Sequence, residues 1–144
     1  MRIKQISAFV ENKIDQVSEI TKILGKNNIN IKYASIADAM EFGILRMLVD
    51  DAEKAIEVLE QVGIAVKISD VVAVEMPDRP NGLNEILTVL SEANVNMEYM
   101  YAFVGRGERN ALVVFKADNA DVAEKALSES GITDVNARTV IDTL

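Results

Sequence analysis

Residues 17–33 read VSEITKILGKNNINIKY, and residues 83–99 read LNEILTVLSEANVNMEY. Laid over each other at an offset of 66, the two stretches put Val17 on Leu83 and Glu19-Ile20 on Glu85-Ile86. Ile23 then falls on Val89, Leu24 on Leu90, Asn28 on Asn94 and Ile29 on Val95. Asn30 falls on Asn96, Ile31 on Met97 and Tyr33 on Tyr99. Farther on the offset is 68: Asp50 matches Asp118, Ala52 Ala120, Ala55 Ala123, Leu59 Leu127, and Gly63-Ile64 matches Gly131-Ile132. An insertion of two residues between Tyr99 and Asp118 accounts for the change. Units of roughly 70 residues are too long for solenoid modules and suit two very small domains. The expected domains are residues 1–69 and 70–144. Each is marginal alone, so the two are expected to share buried surface.

Composition removes several classes of chemistry. The chain has no Cys and no His, which excludes disulfides, thiol chemistry, Ser-His and Cys-His catalysis, and the usual zinc and haem ligands. No cofactor is expected. The net charge is −8 with the acidic residues dispersed, so the basic stripe that nucleic acid requires is missing. Met1–Gln5 leads into a strand-like stretch with no apolar signal-peptide core, and no stretch approaches a membrane-spanning length. A soluble cytoplasmic protein, bound neither to membrane nor to nucleic acid, is expected.

Period and punctuation give the element order. Ile3 to Val10 alternates as a strand and is followed by a polar loop, Glu11–Asp15. Val17, Ile20, Thr21 and Leu24 recur at helical spacing, and Asn27-Asn28 ends that helix. Ile29 to Ala37 and Phe42 to Val49 read as strands joined by a turn. A second helix starts at Asp51 and ends at Gly63, and Ile64 to Ile68 closes the unit. The second half repeats this order: strand Val71–Met76, a helix marked by Leu83, Ile86, Leu87 and Leu90, and strands Val95–Val104 and Asn110–Lys116 around Gly105–Glu108. A helix over Asn119–Ser130 and a last strand over Val135–Ile141 complete it. The fold class is therefore α+β, with two ferredoxin-like βαββαβ units. Each is expected to form a four-stranded antiparallel sheet with two helices on one face. Ser69-Asp70 is too short for a flexible linker.

A solvated sheet face should alternate with polar residues, yet Ile44–Val49 and Ala111–Phe115 are almost continuously apolar. The helix-free face is therefore expected to be covered, by the other repeat or by another subunit. A homodimer is the expected assembly.

The loop before the third helix, Met76–Leu83, concentrates the candidate chemistry. Pro80 fixes the approach and Asn81 suits an N-cap. Gly82 leaves room for a ligand to approach the backbone, so Gly82→Val is expected to block binding without disturbing the fold. Amides at a helix start favour a carboxylate, Asp78 suits an ammonium group, and Arg79 suits a second anion. The alternative is a capped turn with solvated charges. Arg46, a lone charge within an apolar strand, either receives a ligand carboxylate or is structural, lying at a strand edge or pairing with Asp38 or Glu41. Tyr99 and Tyr101 share a face and read as packing residues. Asn28, Asn30, Asn94 and Asn96 are explained by turn chemistry.

The duplicated pattern, with Pro77–Leu83 before the helix and Ala93–Met97 after it, resembles the ACT domain. Phe42–Arg46 and Glu98–Phe103 are similar to stretches of stand-alone tandem ACT proteins. The resemblance covers nearly the whole chain and brings no catalytic domain. It implies a regulatory module that binds amino acids or other small effectors where the loop meets a neighbouring ACT unit. That implicates Asp78, Arg79, Asn81, Gly82 and Leu83. In the first repeat Ile14 stands at the Pro80 position and Gln16 at the Gly82 position, so that loop is either degenerate or recognises the ligand by side chains such as Asn12 and Asp15, with Lys13 between them.

The leading expectation is thus a non-catalytic amino-acid sensor whose state is read by a partner enzyme or transcription factor. The alternative is a structural dimerisation or partner-interaction module without a ligand. RNA-recognition modules share the topology but need exposed aromatics and a basic surface. Acylphosphatase-like hydrolysis would need a glycine-rich phosphate cradle around the arginine, which is missing.

Overall fold

A computed structural model describes residues 2–105, 107, 110–132, 135 and 137–144. Its elements are β1 (Arg2–Val10), α1 (Lys13–Lys26), β2 (Ile31–Ala39), β3 (Phe42–Val49), α2 (Ala52–Gln61) and β4 (Val66–Met76). They continue as α3 (Gly82–Glu92), β5 (Met97–Phe103), β6 (Ala111–Ala117), α4 (Ala120–Glu129) and α5 (Ala137–Thr143). The chain divides into two compact units. Lys4–Ser69 with Ile141–Leu144 forms the N-terminal unit, and Asp70–Val140 with Met1–Ile3 forms the C-terminal unit.

Each unit builds its core by simple alternation. In the N-terminal unit Ile6, Ala8 and Val10 of β1 and Leu45, Met47 and Val49 of β3 point to one sheet face. They meet Ile20 and Leu24 of α1 and Ala55 and Leu59 of α2, four positions apart within each helix and so on one stripe. In the C-terminal unit Val72, Val74 and Met76 join Val113 and Phe115 against Ile86, Leu90, Ala123 and Leu127. Each fully buried leucine among these stabilises its unit by roughly 1.5–3 kcal/mol relative to exposure.

The repeated sequence produces repeated local chemistry. Asn28 (φ 58°) and Asn94 (φ 62°) are both left-handed, a conformation asparagine tolerates better than most residues. Behind them the amides of Ile29 and Val95 donate to the carbonyls of Leu24 and Leu90, both at 2.9 Å, closing the ends of α1 and α3. Asp50 then accepts from the Asn30 amide at 3.0 Å, and Asp118 from the Asn96 amide at 3.2 Å. The N-caps repeat too: Asp51 accepts from the Lys54 amide and Asn119 from the Val122 amide.

Two sequence expectations are corrected. The two expected four-stranded sheets are one six-stranded sheet of order β2-β3-β1-β4-β6-β5. The physical reason lies at Ser69-Asp70: with no Gly or Pro to break it, the backbone runs on as the single strand β4 through the position read as a boundary. The expected final strand over Val135–Ile141 is also absent, and helix α5 covers most of it. Ala137, Val140, Ile141 and Leu144 follow the i, i+3, i+4, i+7 spacing, which competes with the alternation, and Val140 is buried. Asn136 within that expectation, and Arg106 and Glu108 in the β5–β6 connection, lie outside the described residues.

The helix-free face is buried in the C-terminal unit, where Val71, Ala73, Leu112 and Val114 have at most 1% of their surface exposed. Arg2, near the start of β1, donates to Glu124 and Asp121 of α4. Those bonds, Glu124 first, hold the guanidinium pKa above its ordinary value.

Candidate functional site

The connection from β4 to α3 folds back on itself. Pro77 O accepts from the Arg79 amide at 2.9 Å, and Arg79 O accepts from the Gly82 amide at 3.0 Å. Asn81 is left-handed, with φ 73° and ψ −4°. This path brings Gly82 under the carbonyl of Pro77, where a β-carbon would lie 2.2 Å from the oxygen. The glycine is thus required by the loop's own backbone. The expectation that Gly82→Val spares the fold is corrected: the space beside its Cα is taken by Pro77.

The helix start itself is short of caps. The Glu85 amide donates to Asn81 O at 3.1 Å, the first intrahelical bond. Asn81 holds the N-cap position expected of it, but its side chain makes no capping bond. Among the described residues no side chain caps the amides of Leu83 and Asn84, two of the donors a helix leaves over at its start. Leu83 is half-buried and packs against the unit's core.

The charges around this start are disposed differently from the sequence reading. Asp78 is exposed and accepts from the Gly105 amide of the β5–β6 connection at 3.4 Å. Arg79, expected to hold an anion, places Nη2 2.8 Å from Glu85 Oε1, with its side chain 54% exposed. Sequence reasoning missed that pairing, although an acidic residue in the first turn of a helix is a common signal. It also missed Pro77, whose carbonyl organises the loop.

The first repeat does something else. Helix α1 begins at Lys13, so Lys13 to Gln16 of the expected loop form its first turn. Asn12 is the N-cap residue without a capping bond, and its Nδ2 donates to Asp15 Oδ2 at 3.1 Å. Lys13 Nζ pairs with Asp38. Gln16 Oε1 accepts from the Glu11 amide. A cavity of about 280 Å³ lies beside this turn, lined by Glu11, Gln16, Ile20 and Gly63–Ala65. Arg46 lies on β3, opposite Ser7 of β1 and Ser35 of β2. The structure therefore brings Asp78, Arg79, Asn81, Gly82 and Leu83 into one helix start, and Asn12, Lys13 and Asp15 into another. Among the described residues no cluster of acidic residues could hold a metal ion, and no helix is long and apolar enough to cross a membrane.

The duplicated helix starts and their single sheet have a counterpart among known families: the model of the ACT domain pair matches residues 1–143. The chain belongs to that family. The chain is similar to protein BT0572 from Bacteroides thetaiotaomicron, 38% identical, with a TM-score of 0.90 over 98% of this chain and 96% of that one. The fold is also similar to the ligand-free regulatory subunit of aspartate kinase from Thermus thermophilus. There identity is 16%, the TM-score 0.62, and coverage 88% of this chain and 91% of that one. Aspartate kinase from Synechocystis gives a TM-score of 0.56 at 19% identity, with 94% of this ACT pair matched to 28% of the enzyme chain. No curated protein sequence matches the chain.

Proposed function

We propose that this ACT domain pair is a non-catalytic regulatory protein that binds an amino acid at the start of α3. The observation that carries the reading is the helix start itself. Leu83 and Asn84 present amides that no described side chain caps, and the carboxylate of Asp78 stands in the same loop. Amides at a helix N-terminus suit a carboxylate, and Asp78 suits the ammonium group of the same molecule. Leu83 offers an apolar contact to its side chain. Arg79 serves the loop by holding Glu85 rather than the ligand. The family supports a regulatory role, and the solved relative described as a regulatory subunit of aspartate kinase has this fold.

The start of α1 is the unlike copy, where Asn12, Lys13 and Asp15 would recognise the effector through side chains. The protein acts as a cytoplasmic homodimer, and a partner enzyme reads the bound state. Coupling of a few kcal/mol at most is typical of such links. The competing reading, a partner-binding module with no ligand, is favoured by Met40, which is 97% exposed and left-handed at φ 55°.

A thermal-shift screen of the twenty amino acids separates the two. The sensor reading expects a concentration-dependent rise in melting temperature with at least one amino acid. A flat response to all of them favours the ligand-free module.

A further inference from the structure

The step from Asn81 to Gly82 carries a reactivity that ligand binding does not use. Of the chain's asparagines, only Asn81 is followed by glycine. An asparagine side-chain amide can close a five-membered ring on the next backbone nitrogen, and glycine puts no side chain in the way of that attack. Asn28 and Asn94 share the left-handed backbone of Asn81, but they precede Ile29 and Val95, whose branched side chains shield the nitrogen. The fold itself selects the reactive pair. A β-carbon at residue 82 would stand 2.2 Å from Pro77 O, so the position requires glycine. The left-handed backbone at residue 81 suits asparagine. Asn81 is exposed, and its side chain makes no capping bond.

Three contacts hold this pair unreactive. Gly82 is buried, and its amide donates to Arg79 O at 3.0 Å. At ψ −4° the Asn81 side chain is turned away from the Gly82 nitrogen. Bringing the two together requires rotation about the Asn81 Cα–C bond. That rotation also swings Asn81 O away from the Glu85 amide, which donates to it at 3.1 Å. The ion pair of Arg79 with Glu85, at 2.8 Å, ties the two sides of the same turn.

We propose that Asn81 is a self-modification site, gated by this turn, at which asparagine becomes aspartate or isoaspartate. When the turn opens, the Gly82 nitrogen gives up its proton and attacks Asn81 Cγ. The N–Cγ bond forms, the Cγ–Nδ2 bond breaks, and Nδ2 takes up a proton and leaves as ammonia. Water then opens the cyclic imide. Hydrolysis at Cγ gives aspartate, and hydrolysis at the Asn81 main-chain carbonyl gives isoaspartate. The net change is NH2 for OH, with one negative charge gained and no electron transferred. An aspartate at this N-cap accepts from the amide of Leu83 or Asn84. The modified chain thus carries its own carboxylate where the ligand's would sit. The modification stands on the turn alone, and this last consequence rests on the binding reading proposed above.

The test follows each asparagine of the full chain by peptide mapping and mass spectrometry in mildly alkaline buffer, folded and in denaturing urea. In urea Asn81 is expected to convert faster than every other asparagine. In the folded chain its conversion should be slower by about tenfold or more, because two backbone bonds must open first. Glu85→Gln, which removes the exposed ion pair across the turn, should speed the folded conversion about threefold and leave the rate in urea unchanged. Equal rates in the folded and unfolded chain would overturn the proposal. So would another asparagine converting ahead of Asn81 in urea, or a folded Glu85→Gln chain no faster than wild type. Asn81→Asp, the hydrolysis product, should bind the amino acid that most raises the wild-type melting temperature about tenfold more weakly. Undiminished binding by that variant would overturn the consequence for the site. If no amino acid stabilises the wild type, the binding reading fails, and the conversion rates still decide the modification.

Discussion

Gly82 lies so close beneath Pro77 that a β-carbon on it would stand 2.2 Å from the Pro77 carbonyl oxygen. That closeness fixes the path of the β4–α3 connection and, through it, the direction in which the amides of Leu83 and Asn84 point.

Gly82→Ala is therefore expected to destabilise the protein by about 1–3 kcal/mol, because the obstacle is backbone and cannot rotate away. At the equivalent position Gln16 sits within a regular helical turn, so Gln16→Ala removes only the bond from the Glu11 amide and should cost no more than about 1 kcal/mol. Urea denaturation of the two variants checks the difference. Equal effects would mean that the loop relaxes around a side chain.

The left-handed asparagines that close α1 and α3 lead to a second expectation. Asn28→Ala and Asn94→Ala should each cost about 1 kcal/mol, because alanine is strained at positive φ. Glycine at either position should be close to neutral. The same denaturation measurement applies, and an alanine variant as stable as the glycine variant would refute the account of these caps.

Strand continuity through Ser69-Asp70 is tested by proline. Ser69→Pro places a residue without an amide hydrogen inside β4, between β1 and β6 in the sheet. A clear fall in the urea midpoint is expected, because proline inside a sheet is accommodated essentially only on edge strands or at bulges. A boundary turn between separate sheets would accept proline with little change in the urea midpoint.

Much of this fold was legible because the signals were local and doubled. Ile20/Leu24 and Ile86/Leu90 carry the same helical stripe, and the alternation of Ile6, Ala8 and Val10 set the buried face of β1 correctly. The junction failed because the absence of a breaker at Ser69-Asp70 says only that the chain is stiff there. Which strands flank β4 depends on pairing between distant residues, which periodicity does not encode. The last element failed because Val135–Ile141 fits two periods at once. At the site, sequence placed Asn81 at the helix start but could not show its left-handed backbone. That backbone belongs to the turn in which Pro77 and Gly82 approach each other, and no residue-type signal prescribes such a turn. The partner of Lys13 was hidden because Asp38 becomes its neighbour only once β2 is in place, whereas the acidic first turn of α3 did signal Glu85 as a partner for Arg79.

The central claim is that an amino-acid carboxylate sits on the start of α3, and the most direct measurement is a backbone amide titration by two-dimensional NMR. The amino acid giving the largest thermal shift is added to the labelled protein. The amides of Leu83 and Asn84 are expected to move most, with Asp78→Asn weakening the effect about tenfold through loss of a charge-assisted bond to the ammonium group. Saturable shifts that leave Asn81 to Asn84 unmoved, or no shifts with any amino acid, would contradict it.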